Sequence, residues 1–423
     1  MRDGGRIAAA AEVLGEIEAR HRPAHLALKA WGERARYAGA KDRAFVSGLV
    51  LDGLRRRRSL AWMMDDETDR ALTLGVLRFV WGWPLERLET AGGEPHGPGV
   101  LTNTEQTRLS APRPLDDAPA PVWGDYPDWM DGQLERAFGE ARGMEGRALA
   151  TRAPVDLRVN GLKTDMAHVQ KALAPFHPEP LGFPADALRI AAPAAQDRAA
   201  PVETAPEFAK GWYEVQDAGS QIAAVSAGDL KGRQVLDFCA GGGGKTLALA
   251  AAMANTGQLY AYDADARRLS ETVRRAARAG VRNLQVRSPI RGDPLAGLEG
   301  RMDLVLVDAP CTGSGTWRRH PDAKWRLTAQ QLARRVDEQA AILVASSAYV
   351  RPGGRLIYVT CSLLAEENED RVEAFVSRAA EFAAEPVELK AAAPWRTPLG
   401  FLRLTPRTAG TDGFFVAVLR RGR

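Results

Sequence analysis

The sequence predicts a doubly wound α/β fold for residues 201–423, preceded by a small α+β domain at 123–200 and an all-helical domain at 1–91, with a linker at 92–122. Three observations carry this reading. From about residue 201, short apolar runs alternate with amphipathic stretches, the rhythm of strands joined by right-handed helical crossovers. Residues 6 to about 90 instead repeat apolar residues at helical spacing. Between them, Gly92-Gly93, Pro95, Gly97-Pro98-Gly99, Pro112, Pro114, Pro119 and Pro121 break any regular pattern, as a linker does.

In the first domain Ile7, Ala11, Val13, Leu14 and Ile17 share a helical stripe. Phe45, Val46, Leu49, Val50 and Leu54 form a second, and Leu72, Leu74, Val76, Leu77 and Val80 a third. Asp42-Arg43-Ala44-Phe45-Val46 with Leu51-Asp52-Gly53-Leu54-Arg55 resembles the helical RNA-binding domain of NusB-type proteins. A generic helical bundle fits the same spacing. In the small domain Trp129, Leu134 and Phe138 lie on one helical stripe. Residues 155–160 alternate like a half-buried strand, and Leu188-Arg189-Ile190 reads as another. Arg158, Asn160 and Lys163 fit phosphate or base contacts as well as an ordinary solvated face.

In the third domain residues 234–238 read as a strand and 245–253 as a helix. Then come a strand at 259–263, a helix at 266–279, a short strand at 284–286 and a strand ending at Asp308. A helix follows from 328 to about 349, then the strand 355–359 that leads to Cys361. Val372, Phe375 and Val376 mark one more helix, and 402–405 with 414–419 a closing hairpin.

Composition narrows the setting. The chain has 423 residues, enough for two or three domains, and 45% hydrophobic content supports real cores. The net charge is only +4, but Arg55-Arg56-Arg57-Arg58 and Arg318-Arg319-His320 are local clusters. Such clusters fit a polyanion such as nucleic acid, and equally a solvated basic face. Three cysteines, Cys239, Cys311 and Cys361, are too few and too scattered for a disulfide framework and indicate a reducing compartment. No CxxC or Cys/His cluster suggests zinc, so no metal is expected. The N-terminus opens a helical pattern and not a signal peptide. No apolar run approaches the ~20 residues that span a bilayer. The expectation is a cytoplasmic, monomeric protein without membrane contact.

Leu236-Asp237-Phe238-Cys239-Ala240-Gly241-Gly242-Gly243-Gly244-Lys245-Thr246 follows a strand and opens a helix. Glycines let the backbone approach a ligand, and the helix start offers free N–H donors. Lys245-Thr246 invites a P-loop reading, but GxxxxGK[ST] needs glycine where Cys239 stands. The GxGxxG fingerprint matches at Gly241 and Gly243 and fails at its third glycine. Asp263 ends the next strand, where an acid binds ribose hydroxyls. Glycine loop and acid without a phosphate motif suit a nucleoside ligand such as S-adenosyl-L-methionine, with residues 239–245 and Asp263 as its cradle.

Two thiols close apolar runs: Asp308-Ala309-Pro310-Cys311 and Val359-Thr360-Cys361-Ser362. Carboxyl ends of strands face the ligand crevice in open α/β sheets, so both thiols belong at one edge. A pair there suggests covalent chemistry; each alone fits equally a small buried hydrophobe.

Residues from about 215 to 419 closely resemble the RsmB/NOP/Sun family of RNA 5-methylcytosine methyltransferases. The resemblance rests on Val215-Gln216-Asp217-Ala218-Gly219-Ser220-Gln221, the glycine loop, Asp308-Ala309-Pro310-Cys311-Thr312-Gly313-Ser314-Gly315 and Arg318-Arg319-His320-Pro321-Asp322-Ala323-Lys324-Trp325. It continues in Thr360-Cys361-Ser362-Leu363, Glu366-Glu367-Asn368-Glu369 and Thr411-Asp412-Gly413-Phe414-Phe415. With the NusB-like segment, the whole chain is similar to the RsmB branch, which modifies small-subunit (16S) ribosomal RNA. The resemblance implies a Rossmann-like class I methyltransferase domain that uses S-adenosylmethionine on RNA. It implies a Cys361 thiolate that adds to cytosine C6, and a Cys311 that serves release. Asp308 then bridges cofactor and base, Lys245 orients the same groups, and Arg318, Arg319 and His320 hold the RNA backbone.

Two positions depart from the family. Proline is usual where Gly242 stands, which predicts a looser loop. An acid is usual near the adenosine, by count near Ile290, and the nearest acid is Asp293. A DNA cytosine methyltransferase takes its nucleophile from the Pro-Cys motif and carries a Glu-Asn-Val segment absent here. A ribosome-assembly factor with a retired methyltransferase fold is the non-catalytic alternative, against which the intact cysteine pair argues.

Overall fold

A computed structural model describes every residue except 196, 198 and 291. It divides into two compact units. The first comprises residues 1–153, the described residues of 192–199, and 316–327; the second comprises 154–191, the remaining residues to 315, and 328–423.

The first unit is helical, beginning with Asp3–Arg20, Ala24–Arg34 and Ala40–Arg55. Ile7, Val13, Phe45, Leu49, Leu74 and Leu77 fill its core, as their helical spacing requires. Residues 92–122 are not an open linker, and this expectation is corrected. Thr102 and Glu105 cap each other's backbone N–H and start the helix Asn103–Ser110, and its Leu109 is buried in the same core. Helices Asp131–Phe138 and Arg142–Leu149 also belong to this unit, so the expected boundary at 123 does not exist. Gly and Pro content misled here, because capping and single buried leucines override it.

Segment 316–327, expected within the third domain, is built into the helical unit. Trp317 is buried, and the Trp325 Nε1–H donates to the Leu54 carbonyl at 2.7 Å. Lys324 Nζ donates to the carbonyls of Arg55 at 2.8 Å and Asp125 at 2.6 Å. Burial holds the Lys324 ammonium down to about 7. The arginine run is largely matched by carboxylates: Arg55 with Asp52 at 2.7 Å, Arg57 with Glu18, and Arg58 with Asp128 at 2.5 Å.

The second unit holds two sheets. The small antiparallel one comprises β1 (Val155–Val159), β2 (Glu179–Pro180), β3 (Ala187–Ile190) and β4 (Tyr213–Val215), in the order β2-β3-β1-β4. Strands β1 and β3 match expectation; β4 lies beyond the boundary expected at 200. The large sheet begins with β5 (Gln234–Asp237), β6 (Gln258–Tyr262), β7 (Leu284–Arg287), β8 (Met302–Asp308) and β9 (Val350–Thr360). It ends with β10 (Phe382–Glu385), β11 (Leu402–Leu404) and β12 (Phe414–Arg421). The order is β10-β12-β9-β8-β5-β6-β7, with β11 beside β12. Strands β5 to β9 pair in parallel, and β12 is antiparallel to β9.

This is a doubly wound α/β fold with a parallel-rich sheet. Leu236, Val305, Val307, Leu356 and Tyr358 pack on one face. Val235, Leu304, Leu306, Ile357 and Val359 pack on the other. Both faces are covered, which is why these strands read as continuous apolar runs. The chain winds outward from β5 to β7 and returns on the other side of β5 as β8. That reversal opens a crevice beyond the carboxyl ends of β5 and β8. Among the described residues no helix is long and apolar enough to cross a membrane.

Candidate active site

The crevice is built on four strand ends, those of β5, β6, β8 and β9. Strand β5 ends at Asp237, which is fully buried and accepts from the Thr246 hydroxyl at 2.7 Å. Among the described residues its Oδ1 has no partner, and burial raises its carboxyl to about 7. The glycine loop then turns through Gly241 (φ 53°) and Gly243 (φ 85°) into the helix Gly244–Ala252. A Cβ on Gly243 would stand 2.9 Å from Thr272 Oγ1, so the left-handed turn and the close approach both require glycine.

Asp263, just past β6, accepts from the Gly241 N–H and the Asp265 N–H, each at 2.8 Å. Thr272 donates to the Gly241 carbonyl at 2.9 Å and Arg275 to the Gly242 carbonyl at 2.6 Å. The looser loop expected from Gly242 is therefore corrected, since side chains hold the peptides on both sides of it.

Strand β8 ends at Asp308, whose Oδ2 lies 2.7 Å from Lys245 Nζ. The ammonium also sits 5.1 Å from the Phe414 ring centre. Cys311 follows β8 and Cys361 follows β9, and parallel pairing of these strands brings the two sulfurs to 3.4 Å. The Cys361 contact, then burial, push the Cys311 thiol well above its ordinary range. Burial likewise raises Cys239.

A cavity of about 710 Å³ is lined by Cys239, Lys245, Asp263, Asp308, Cys311 and Cys361, together with Ala240, Gly242 and Gly244. Gly242 and Gly244 present bare backbone to this cavity, and the turn that places them needs Gly241 and Gly243, where a Cβ would collide with Arg268 and Thr272.

A family model described as 16S rRNA methyltransferase RsmB/F matches residues 228–420. The chain is 36% identical over 305 residues to the ribosomal RNA small subunit methyltransferase B of Klebsiella pneumoniae subsp. pneumoniae, a match that spans 70% of this chain and 66% of that protein. The chain belongs to the RsmB/NOP/Sun family. A probable ribosomal RNA small subunit methyltransferase B of Synechocystis sp. is 29% identical over 421 residues, 90% of this chain and 91% of that one. A solved methyltransferase homolog protein from Pyrococcus horikoshii shares the fold over 71% of this chain and 97% of its own, with TM-score 0.60 and 29% identity.

Several supports of this family site escaped the sequence reading. Glu367 is fully buried and accepts from the Thr312 N–H at 2.8 Å, the Thr312 hydroxyl at 2.5 Å and Gln339 Nε2 at 2.9 Å. It thereby anchors the residue after Cys311. Asn368 donates to the Ser362 carbonyl at 2.9 Å, and Ser314 accepts from the Leu363 N–H at 2.8 Å, which fixes the turn after Cys361. Gly413 donates to the Gly315 carbonyl at 2.8 Å, and a Cβ on Gly413 would stand 2.6 Å from the Gly315 Cα. The motif glycines thus let two loops touch. The Glu366-Glu367-Asn368-Glu369 stretch was the available signal.

The expected RNA contacts fall elsewhere. Arg318, Arg319 and His320 belong to the helical unit and do not line the cavity. Arg318 is only 3% exposed, and its carbonyl accepts from Arg55 Nε at 3.0 Å, so it is corrected from a surface contact to a buried residue. Arg319 is half-buried and His320 exposed. Asp293, the nearest acid for the adenine side, accepts from the Leu295 N–H at 3.0 Å and does not line the cavity.

Proposed function

We propose that this protein transfers a methyl group from S-adenosylmethionine to C5 of a cytosine in small-subunit ribosomal RNA, through a covalent bond between Cys361 and C6. The observation that carries the proposal is the 3.4 Å approach of Cys311 and Cys361 in one cavity with the Lys245–Asp308 pair and the glycine loop. The names of the relatives support RNA as the substrate class.

Cytosine C5 is a weak nucleophile. A Cys361 thiolate adding to C6 turns C5 into an enamine-like carbon, splitting one hard step into two. The bound methyl donor supplies an electrophilic carbon on a sulfonium. Cys311 keeps its proton, because Cys361 and burial raise it, and so is able to donate to a neighbouring thiolate. After transfer, loss of the C5 proton restores the C5–C6 double bond and expels Cys361. Cys311 serves that release. Lys245 holds Asp308 by its charge, leaving the carboxylate's open side to receive the amino edge of the base. Asp263 and the loop 239–244 hold the nucleoside of the donor. The target base leaves its stack to enter the cavity. The helical unit, through Arg319 and His320, holds RNA phosphates.

Incubation with small-subunit rRNA and tritium-labelled methyl donor tests this reading. Label recovered in 5-methylcytidine is expected; label confined to another nucleoside refutes it.

A further inference from the structure

Four consecutive glycines at 241–244 have no intrinsic order, yet two of them, Gly242 and Gly244, line the cofactor cavity. Gly241 is fixed through both its N–H and its carbonyl, by Asp263 and Thr272. Gly243 donates to the Ala240 carbonyl at 2.9 Å. The Gly242 peptide is held by a different device. Its carbonyl accepts from Arg275 Nη1 at 2.6 Å, and Arg275 is itself held by Glu214, through Nη2 at 2.9 Å and Nε at 3.3 Å.

Glu214 lies on β4 of the small sheet and is only 3% exposed. Its other oxygen accepts from Arg278 at 2.5 Å. Two residues on, Gln216 accepts from Arg158 at 2.8 Å and donates to Ser220 at 3.0 Å, and Ser220 lines the cavity. The small sheet therefore reaches the cofactor loop twice, once by a charged clamp and once beside it.

We propose that Arg275 and Glu214 are positioning residues that hold the Gly242 peptide in the orientation the methyl donor needs, which makes the small sheet a working part of the cofactor site. This rests on the S-adenosylmethionine reading above. Rigidity at Gly242 is the quantity the clamp supplies, so a proline there should replace it. The φ of Gly242 lies outside the left-handed region, and a Cβ there would meet nothing closer than 3.6 Å. Proline fixes φ and removes unfolded-state freedom.

The experiment is calorimetric titration of S-adenosylmethionine into the full-length protein and three variants: Arg275→Gln, Gly242→Pro and the double variant. Arg275→Gln should weaken binding about tenfold, the effect of one carbonyl left without its charged donor. Its KM for the donor should rise while kcat at saturation holds. The double variant should recover most of the affinity that Arg275→Gln loses, a non-additive pattern. Arg278 still neutralises Glu214, so thermal unfolding should stay close to the parent's.

If Arg275→Gln binds like the parent, the clamp is refuted. If it binds weakly and proline does not restore it, Arg275 touches the ligand directly and the positioning role is overturned. Should Arg275→Gln not fold, Arg275→Lys, which keeps the charge beside Glu214, is judged by the same restoration. A parent that binds no S-adenosylmethionine refutes the functional reading instead.

Discussion

Removing the Glu367 carboxylate should damage the turn after Cys311 more than any surface change. The residue is fully buried and accepts three hydrogen bonds, two from Thr312 and one from Gln339. Bonds to a charged acceptor contribute roughly 1.5–3 kcal/mol each, and each abandoned donor adds a desolvation cost. Allowing for relaxation, Glu367→Ala should destabilise the second unit by about 3–5 kcal/mol. Glu367→Gln keeps an oxygen for the Thr312 N–H and Gln339, and the Thr312 hydroxyl turns to accept, so about 1–2 kcal/mol is expected. Cys311 is raised mainly by Cys361 and burial, and Glu367 adds to this. The glutamine variant should therefore alkylate faster at Cys311 at a given pH. Urea denaturation and timed alkylation with peptide mapping read both effects. A loss below about 1 kcal/mol in the alanine variant, with unchanged turnover, would refute the anchoring role.

Three further outcomes follow from buried groups. Asp263→Ala removes the acceptor of two N–H groups at 2.8 Å and should weaken S-adenosylmethionine binding by on the order of 1–3 kcal/mol in calorimetry; unchanged affinity removes Asp263 from the site. Asp237 is raised from 3.8 to about 7, so between those pH values the folded state holds a proton the unfolded chain has lost. Stability should fall as pH rises through that window, by up to about 1.4 kcal/mol per unit, and Asp237→Asn should flatten the slope in pH-dependent urea melts. Lys324 is lowered from 10.5 to about 7, so there the unfolded chain binds the extra proton and stability should rise with pH between those values. Lys324→Met should abolish that rise and, by leaving two carbonyls unpaired, destabilise the helical unit by about 2–4 kcal/mol, as measured by its thermal transition.

What the sequence disclosed follows from what each signal measures. The helix at 266–279 and the strand ending at Asp308 were legible, because periodicity and continuous apolar runs report burial directly. The placement of Cys311 and Cys361 at one edge of the sheet was legible for the same reason, since both close continuous apolar runs, whereas the adjacency of β8 and β9 was not. Strand β10 was not, because Phe382 is its only buried residue and its pairing comes from β12, far along the chain. The domain boundaries failed where long-range contacts decide. Nothing local to Trp325 or Lys324 says that Leu54, Arg55 and Asp125 will receive their N–H groups. The basic cluster at 318–320 read as surface, yet Arg318 is buried. Deleting residues 1–90 would strip partners from 316–327, so point changes at Arg319 and His320 probe RNA contact more cleanly.

The central claim is that Cys361 bonds to the base and Cys311 acts after transfer. Its most direct measurement is denaturing electrophoresis of the Cys361→Ser and Cys311→Ala variants, each incubated with labelled RNA and S-adenosylmethionine. Cys361→Ser should show no shifted band and no methylation, because an un-ionised hydroxyl is a far weaker nucleophile than a thiolate. Cys311→Ala should transfer the methyl and then stall as a protein–RNA adduct that survives denaturation. An adduct trapped by the Cys361 variant would reverse the two roles, and turnover without adduct in both would contradict covalent catalysis at this pair.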